Sequence, residues 1–275
     1  MSGITSYIKD WLPPFVVRNI RRCLTEEVTF SAVYNTWADA QADSTGYDAD
    51  DILAKVFAAT LRVIDGDVAF ERDSVVFDKI VYDWPVLAGL MWAAARHNGK
   101  LNVLDFGGSL GSSYFQYRRF LVGLGEEFWN VVEQAHYVEW GKANIKEDAL
   151  RFYTTISDCL MENTPNVILL SSVLQYLEKP YLVLKSLLDC DVDIVIIDRL
   201  IVNCTAFNRI YVQHVPRSIY AASYPCWSLS DSSLKELIGQ RYELISDFAS
   251  LDFPGLERIS SVFNGSIWCK KVSCH

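Results

Sequence analysis

Paired cysteines are missing from this 275-residue chain: its seven cysteines, at 23, 159, 190, 204, 226, 269 and 274, form an odd set without a CxxC spacing. That argues against a disulfide framework and against a thiolate zinc site. Histidine is scarce too. The four, at 97, 136, 214 and 275, show no paired spacing, so no metal-binding constellation is expected. No apolar run approaches the roughly 20 residues of a membrane span. The N-terminus, MSGITSYIKDWLPPF, lacks the long apolar core and cleavage-like site of a secretory leader. Lysine and arginine number 25 against 34 aspartates and glutamates, a formal net charge of −9. An acidic chain has little nonspecific grip on nucleic acid, so none is expected as a partner. Scattered thiols without a leader fit a cytoplasmic protein.

One segment runs against the overall charge. Residues 1–24 carry Lys9, Arg18, Arg21 and Arg22 against Asp10 alone, with Ile8, Trp11, Leu12, Phe15, Val16, Val17 and Ile20 between them. A basic amphipathic segment of this kind can lie on an anionic membrane surface, which would place the protein peripherally at an inner membrane. It can equally pack on its own domain or on a partner in a biosynthetic complex. Pro13-Pro14 interrupts a continuous helix in either case.

The first hundred residues read as mostly helical. Apolar positions recur at helical spacing over Ala32–Ala42, Asp50–Leu61 and the later part of Ile80–His97. From Leu101 the pattern becomes short apolar strands alternating with helices. Strands are expected at Leu101–Phe106, Phe128–Glu133, Leu150–Tyr153, Val167–Ser171 and Asp193–Asp198, with a helix at Tyr181–Leu188. Alternating βα units imply a mostly parallel sheet covered by helices on both faces. Tyr242–Phe248 and Ile267–Val272 read as a final strand pair, with Asn264-Gly265 as a turn before the second. The expected organisation is a helical N-terminal region, 1–98, followed by an α/β domain, 99–275, with an insertion at about 200–240.

The stretch LDFGGSLGSSYF, Leu104–Phe115, is a strand that ends in a glycine turn and opens a helix. In a doubly wound sheet, ligands sit outside the carboxyl ends of the strands, which is where such a turn lies. The dinucleotide fingerprint GxGxxG is absent: after Gly107, Ser109 and Ser112 stand where its second and third glycines belong. The Asp-x-Gly-x-Gly-x-Gly turn of S-adenosylmethionine-dependent methyltransferases fits better. Asp105, Gly107 and Gly111 match it; Ser109 replaces the middle glycine and Gly108 falls beside it. Glu133, near the end of the next strand, is placed to accept the hydroxyl hydrogens of a ribose. Adenosine brings that ribose in either cofactor, so Glu133 supports a nucleoside without choosing between them.

The chain resembles a family of class I methyltransferases met in bacterial surface-polysaccharide gene clusters, such as those for O-antigen. The residues that carry the likeness are Tyr34–Asp48 (YNTWADAQADSTGYD), Leu104–Arg118, Val131–Gly141 (VVEQAHYVEWG), Ser171–Pro180 (SSVLQYLEKP), Ile196–Arg199 (IIDR) and Val212–Trp227 (VQHVPRSIYAASYPCW). The resemblance implies a Rossmann-like methyltransferase fold whose last two strands pair antiparallel at one edge. It implies S-adenosylmethionine as cofactor and transfer of a methyl group to a sugar or glycan intermediate. The turn after the fourth strand would then lie beside the donor, with Ser171 and Ser172 near it and Gln175 and Tyr176 toward the substrate.

A sugar hydroxyl must lose its proton as it attacks, so a base is wanted. His214 is the first candidate because histidine titrates near neutral pH, and Asp198 is the second. The segment 203–230 groups aromatics and arginines that suit a carbohydrate: Arg217, Tyr220, Tyr224 and Trp227, with Arg199 after the fifth strand. A long insertion at the ligand end suggests a lid. Two other functions stay open: a methyltransferase-like binding or scaffold protein without chemistry, and an NAD(P)-dependent nucleotide-sugar oxidoreductase.

Overall fold

Apolar runs in which successive side chains face opposite ways build a sheet that is buried on both sides. The computed structural model describes residues 28–31, 33–45, 49–72, 74–216, 222–250 and 256–271. In chain order the strands are β1 (Thr29–Phe30), β2 (Phe70–Arg72), β3 (Val75–Phe77), β4 (Lys100–Phe106), β5 (Glu126–Val132), β6 (Leu150–Tyr153), β7 (Val167–Ser171), β8 (Ile194–Asn203), β9 (Arg209–Val215), β10 (Ala222–Ser230), β11 (Tyr242–Ala249) and β12 (Ser261–Lys270). The helices are α1 (Trp37–Ala42), α2 (Ala49–Ile64), α3 (Trp84–Arg96), α4 (Ser112–Leu121), α5 (Ala135–Asn144), α6 (Ile156–Glu162), α7 (Pro180–Leu188) and α8 (Asp231–Gly239). Short 3-10 turns lie at Leu174–Tyr176 and Leu256–Ile259.

The central sheet runs β6-β5-β4-β7-β8-β12-β11. Its first five strands pair parallel, and β12 lies antiparallel between β8 and β11. This is the expected Rossmann-like methyltransferase topology, terminal antiparallel pair included. The alternation is visible in β8. Ile194 and Ile196 join the core beneath α2 to α5, while Val195 and Ile197 join the core with residues of α6, α7 and α8. Strand order reverses at β4, so the turn after β4 opens at the switch point where α/β sheets hold ligands.

The mostly helical N-terminal region also contains strands: β2 and β3 form an antiparallel hairpin, β1 joins the main sheet, and Tyr34 forms a bridge to Ile210 outside α1. Among the described residues it also has no core of its own, since Val56, Val63, Leu87 and Leu90 share one cluster with the strands. Other expectations are corrected. The segment after β8 is not a loose lid. It is β9 and β10, which extend the sheet from the far end of β8 through the parallel pairs Leu229↔Val202 and Ser230↔Asn203. Lastly, Asn264-Gly265 is no turn; both lie inside β12, where the register shifts at a bulge between Asn264 and Ser266. A ring from Phe248 would occupy the place of a side chain at 265, so a glycine stands there for close packing. No helix among the described residues is long and apolar enough to cross a membrane. The basic segment 1–24 lies outside them.

Candidate active site

The turns after β4 and β7, and β8 at Arg199 beside them, contain backbone that side chains seldom adopt. Ser109 has φ +54°, Ser172 +55° and Arg199 +51°, with Gly107 at +72° and Gly111 at +87°. Left-handed non-glycine residues cost free energy and concentrate where a site fixes the backbone. Here neighbouring groups hold them. The Ser172 N–H donates to the Asp198 carbonyl at 2.9 Å, and the Arg199 N–H donates to Ser250 Oγ at 3.0 Å. Gln175, fully buried, donates from one amide to Ser172 Oγ (3.1 Å) and to the Arg199 carbonyl (3.0 Å). It therefore ties the end of β7 to the middle of β8, while its Oε1 is buried without a hydrogen-bond partner.

The glycine turn faces Glu133. A Cβ built on Gly107 would fall on Val173 and stand 3.8 Å from Glu133 Oε2, so turn and carboxylate border the same space. Burial lifts the Glu133 carboxyl above its usual range, against the backbone N–H groups of Gln134 and Ser109, which lower it. Two donors leave a carboxylate with lone pairs for two more hydrogen bonds, the number a ribose diol offers. Gly111 caps α4 without a side-chain hydrogen bond, so the first N–H groups of that helix remain for a ligand or water.

Asp105 lies beneath the turn. It is 1% exposed, accepts from Trp129 Nε1 at 2.8 Å, and would be struck by any side chain at Gly108. Burial pushes its carboxyl up to about 7; the Trp129 hydrogen bond opposes this, the Glu133 charge adds to it, and Arg199 lowers it. Asp105 thus holds the turn from below.

Asp198 is 4% exposed on the same face of the sheet as Asp105 and Ser171. Its Oδ2 accepts from Ser171 Oγ at 2.9 Å and pairs with Arg199 Nε at 3.4 Å. Its Oδ1 is buried and has no hydrogen-bond partner. One oxygen is pinned while the other is open to a donor. Arg199 also donates from Nε and Nη2 to Ser171 Oγ at 3.3 and 3.2 Å, so its guanidinium forms a local ion pair.

On the arm, strand alternation separates the candidates. Tyr176 donates to Gln213 Oε1 at 3.1 Å and meets Tyr224 edge-on at 5.3 Å, while Gln213 donates to Tyr224 Oη at 3.3 Å. His214, the next residue of β9, turns to the opposite face and is exposed. The structure does not bring it to this group. Trp227, also on the opposite face from Tyr224, stacks on Trp37 at 5.7 Å and donates to the Leu177 carbonyl at 2.9 Å, so it fastens the arm. Arg217 and Tyr220 lie outside the described residues.

Four residues that the sequence reading passed over reach this end of the sheet. Glu71 of β2, 3% exposed, accepts a hydrogen bond from Ser112 Oγ, and Arg72 follows it. Tyr117 and Asp83 are buried nearby. Burial, then the charges of Asp198 and Asp83, raises the Tyr117 hydroxyl well above its usual range, while Arg72 and Arg199 act against them. The signal was present in FERDSVVF, where the turn-type pair Asp73-Ser74 precedes the β-branched and aromatic run Val75–Phe77, inside a region read as helical. No group of three or more potential metal ligands occurs among the described residues.

No family model matches the chain, and comparison with curated proteins gives no match. Solved structures with similar coordinates include a Burkholderia thailandensis 1,6-didemethyltoxoflavin-N1-methyltransferase with S-adenosylhomocysteine bound, at 15% identity over 83% of this chain and 93% of that one, TM-score 0.41. An S-adenosylmethionine-dependent methyltransferase from Clostridium acetobutylicum is 9% identical over 78% of this chain and 98% of that one, TM-score 0.45. The CcbJ methyltransferase of Streptomyces caelestis is 11% identical over 68% and 90%, TM-score 0.43. The fold assignment rests on the strand order rather than on these similarities.

Proposed function

We propose that the protein is an S-adenosylmethionine-dependent O-methyltransferase acting on a sugar or glycan intermediate of surface-polysaccharide assembly. The observation that carries this reading is the shared space between the glycine turn and Glu133, at the switch point of a sheet with methyltransferase strand order. The residues fit such a donor: the turn and the start of α4 would hold its amino-acid end, and Glu133 its ribose. When bound, the donor supplies an activated methyl group, leaving the protein to orient the acceptor and exclude water. Asp198 is the better base of the two candidates, because its Oδ1 is buried and unpartnered while His214 faces away from Gln213 and Tyr176. Ser171 and Arg199 hold the other carboxylate oxygen and so aim Oδ1. Tyr176, Tyr224 and Gln213 offer aromatic faces and hydrogen-bonding tips that suit a carbohydrate. The surface-polysaccharide context rests on the family resemblance of the motifs.

Calorimetry with S-adenosylmethionine, S-adenosylhomocysteine and NAD tests the cofactor. The first two are expected to bind and NAD not; NAD binding without an S-adenosylhomocysteine signal would overturn the reading. Glu133→Ala is expected to weaken S-adenosylhomocysteine binding by about tenfold or more, the scale of a lost charge-assisted hydrogen bond. Transfer of a labelled methyl group into bacterial glycan extracts tests the acceptor. Cofactor binding with no transfer would favour a scaffold role.

A further inference from the structure

Between β3 and α3 the chain displays aromatic rings that the core does not take in. Trp84 is 60% exposed and Phe120, near the end of α4, is 39% exposed. With Tyr82 they form one cluster: Tyr82 lies 5.3 Å from Trp84 and 5.0 Å from Phe120, and Trp84 lies 5.8 Å from Phe120. Two buried side chains of α4 hold this segment from inside. Gln116 donates from Nε2 to the Val81 carbonyl at 2.6 Å, and the Tyr117 hydroxyl donates to the Asp83 carbonyl at 3.5 Å. The rings thus stand on backbone that is fixed in advance, which lowers the ordering cost of a contact. Exposed apolar groups gathered in this way mark a contact surface.

A cleft of about 460 Å³ adjoins them, lined in part by Asp67, Asp78, Ile80 and Arg119. Ile80 stands two positions before Tyr82, and Arg119 directly precedes Phe120. The volume lies in the range of small-molecule sites, roughly 300–1,000 Å³. Arg118, also in the lining, is engaged elsewhere: it pairs with Glu147 at 3.1 Å and lies over the Phe115 ring at 5.1 Å. Asp67, Asp78 and Arg119 are exposed, and no ion pair or side-chain hydrogen bond among the described residues engages them. Flat apolar rings beside open acceptors and an open donor match a sugar, which offers a C–H face and a hydroxyl edge. An anionic lipid surface would call for an excess of basic residues around the rings, whereas the cleft carries both signs. A protein partner would call for a continuous patch of about 800 Å², whereas the rings give way to a charged cleft.

We propose that Tyr82, Trp84 and Phe120, with the cleft that Asp67, Asp78 and Arg119 line, bind a saccharide chain at a site apart from the glycine turn. The rings take the C–H faces of the sugars, the two aspartates accept from hydroxyls, and Arg119 donates. Phe120 stands eight residues after Ser112 on α4, about 12 Å along the helix axis. An acceptor held both here and at the turn is therefore an oligosaccharide and not a single sugar. That link to the reaction rests on the glycan reading above; the binding site itself does not.

The test presents the full chain with an array of defined neutral, amino and uronic-acid saccharides, from single sugars to chains of several. Wild-type protein is expected to retain longer members of the array. Trp84→Ala should raise Kd for a retained oligosaccharide by about tenfold, and Asp78→Asn by about threefold or more. Urea midpoints near wild type show that the variants are folded, and the exposed Asp78 keeps the test open if Trp84→Ala is not. No retention by wild-type protein, or retention that either folded variant leaves unchanged, overturns the site. Binding to phosphatidylglycerol vesicles, or a concentration-dependent dimer, that is lost in Trp84→Ala in place of sugar binding also overturns it, and names a lipid surface or a second copy as the occupant. Sugar retention that depends on Trp84, without methyl transfer to that sugar, upholds the site and overturns the acceptor reading. Methyl transfer to a glycan that the protein does not hold through Trp84 overturns the site and leaves the acceptor reading standing.

Discussion

Asp105 is a carboxyl group that the fold keeps out of water, and the indole N–H of Trp129 donates a hydrogen bond to it. In the unfolded chain it ionises near 3.8, and in the folded protein near 7. Between those values the native state binds the extra proton. Stability from this group is therefore full below about pH 4 and is lost as the pH rises through about 7. The slope is on the order of 1.4 kcal/mol for each pH unit in that window. Glu133 is also raised by burial and adds in the same direction. Urea midpoints taken from pH 4 to 8 should fall less steeply in Asp105→Asn than in wild type, and parallel curves would show that Asp105 is not the group responsible. Gly107 offers a second test at this scale. Its φ of +72° costs an L-residue about 1–2 kcal/mol, and a methyl group there meets Val173. Gly107→Ala should lower stability by about 1–3 kcal/mol in urea unfolding, with part recovered by Val173→Ala, since only the clash and not the φ penalty is relieved.

At the scale of elements, the arm made of β10, β9 and β1 departs most from what its residues suggested. Its aromatics read as a substrate cover, but the two faces of the ribbon divide them. One face carries Tyr224 and Gln213 toward Tyr176. The other carries Trp227, Ile210 and Val212 against α1, with Trp37 and Ala40 filling that small core. The signal for strands was present in RIYVQHV and ASYPCWSLS, where β-branched and aromatic residues cluster. What it could not disclose was the partner, because β10 pairs with only the last two residues of an unusually long β8. Trp227→Ala removes the stack on Trp37 and leaves the Leu177 carbonyl without its indole donor. A loss of about 1–3 kcal/mol in unfolding free energy is expected. Binding of S-adenosylhomocysteine should persist, because the glycine turn lies on a different element. Joint loss of stability and cofactor affinity would mean that the arm and the turn are one unit.

At the scale of the molecule, the acids at the carboxyl ends of the strands come from both sides of the sequence. Glu71 and Asp83 precede the first strand of the central sheet, while Asp105, Glu133 and Asp198 follow from it. Residues on both sides of position 98 thus meet at this end of the sheet, as Glu71 does with Ser112. A base that acts only on the acceptor should affect turnover and not donor affinity. Asp198→Asn is expected to lower kcat/KM by about a hundredfold or more once an acceptor is found, with S-adenosylhomocysteine affinity unchanged. His214→Ala should leave both near wild type. The reverse pattern, loss with His214→Ala and none with Asp198→Asn, would exchange their roles.

Local pattern was enough for the central sheet. Leu150–Tyr153 and Val167–Ser171 match the observed strands residue for residue, and Asp105, Gly107 and Gly111 mark the turn. Strand alternation, glycine at positive φ and an acid after the second strand are properties of neighbouring residues, so they survive in a linear reading. The roles of single side chains did not survive it. Gln175 became a tie between β7 and β8, Arg199 an ion pair with Asp198, Trp227 an anchor, and Glu71 a neighbour of Ser112 across 41 positions. Each of those depends on which face a strand presents and on what packs against it. The sequence by itself determined a parallel sheet with a nucleoside-type turn at its switch point, because periodicity and turn chemistry are local. Only the tertiary structure decided which carboxylates face that turn and which oxygen is left without a donor, because burial and pairing are set by chain segments far apart in sequence.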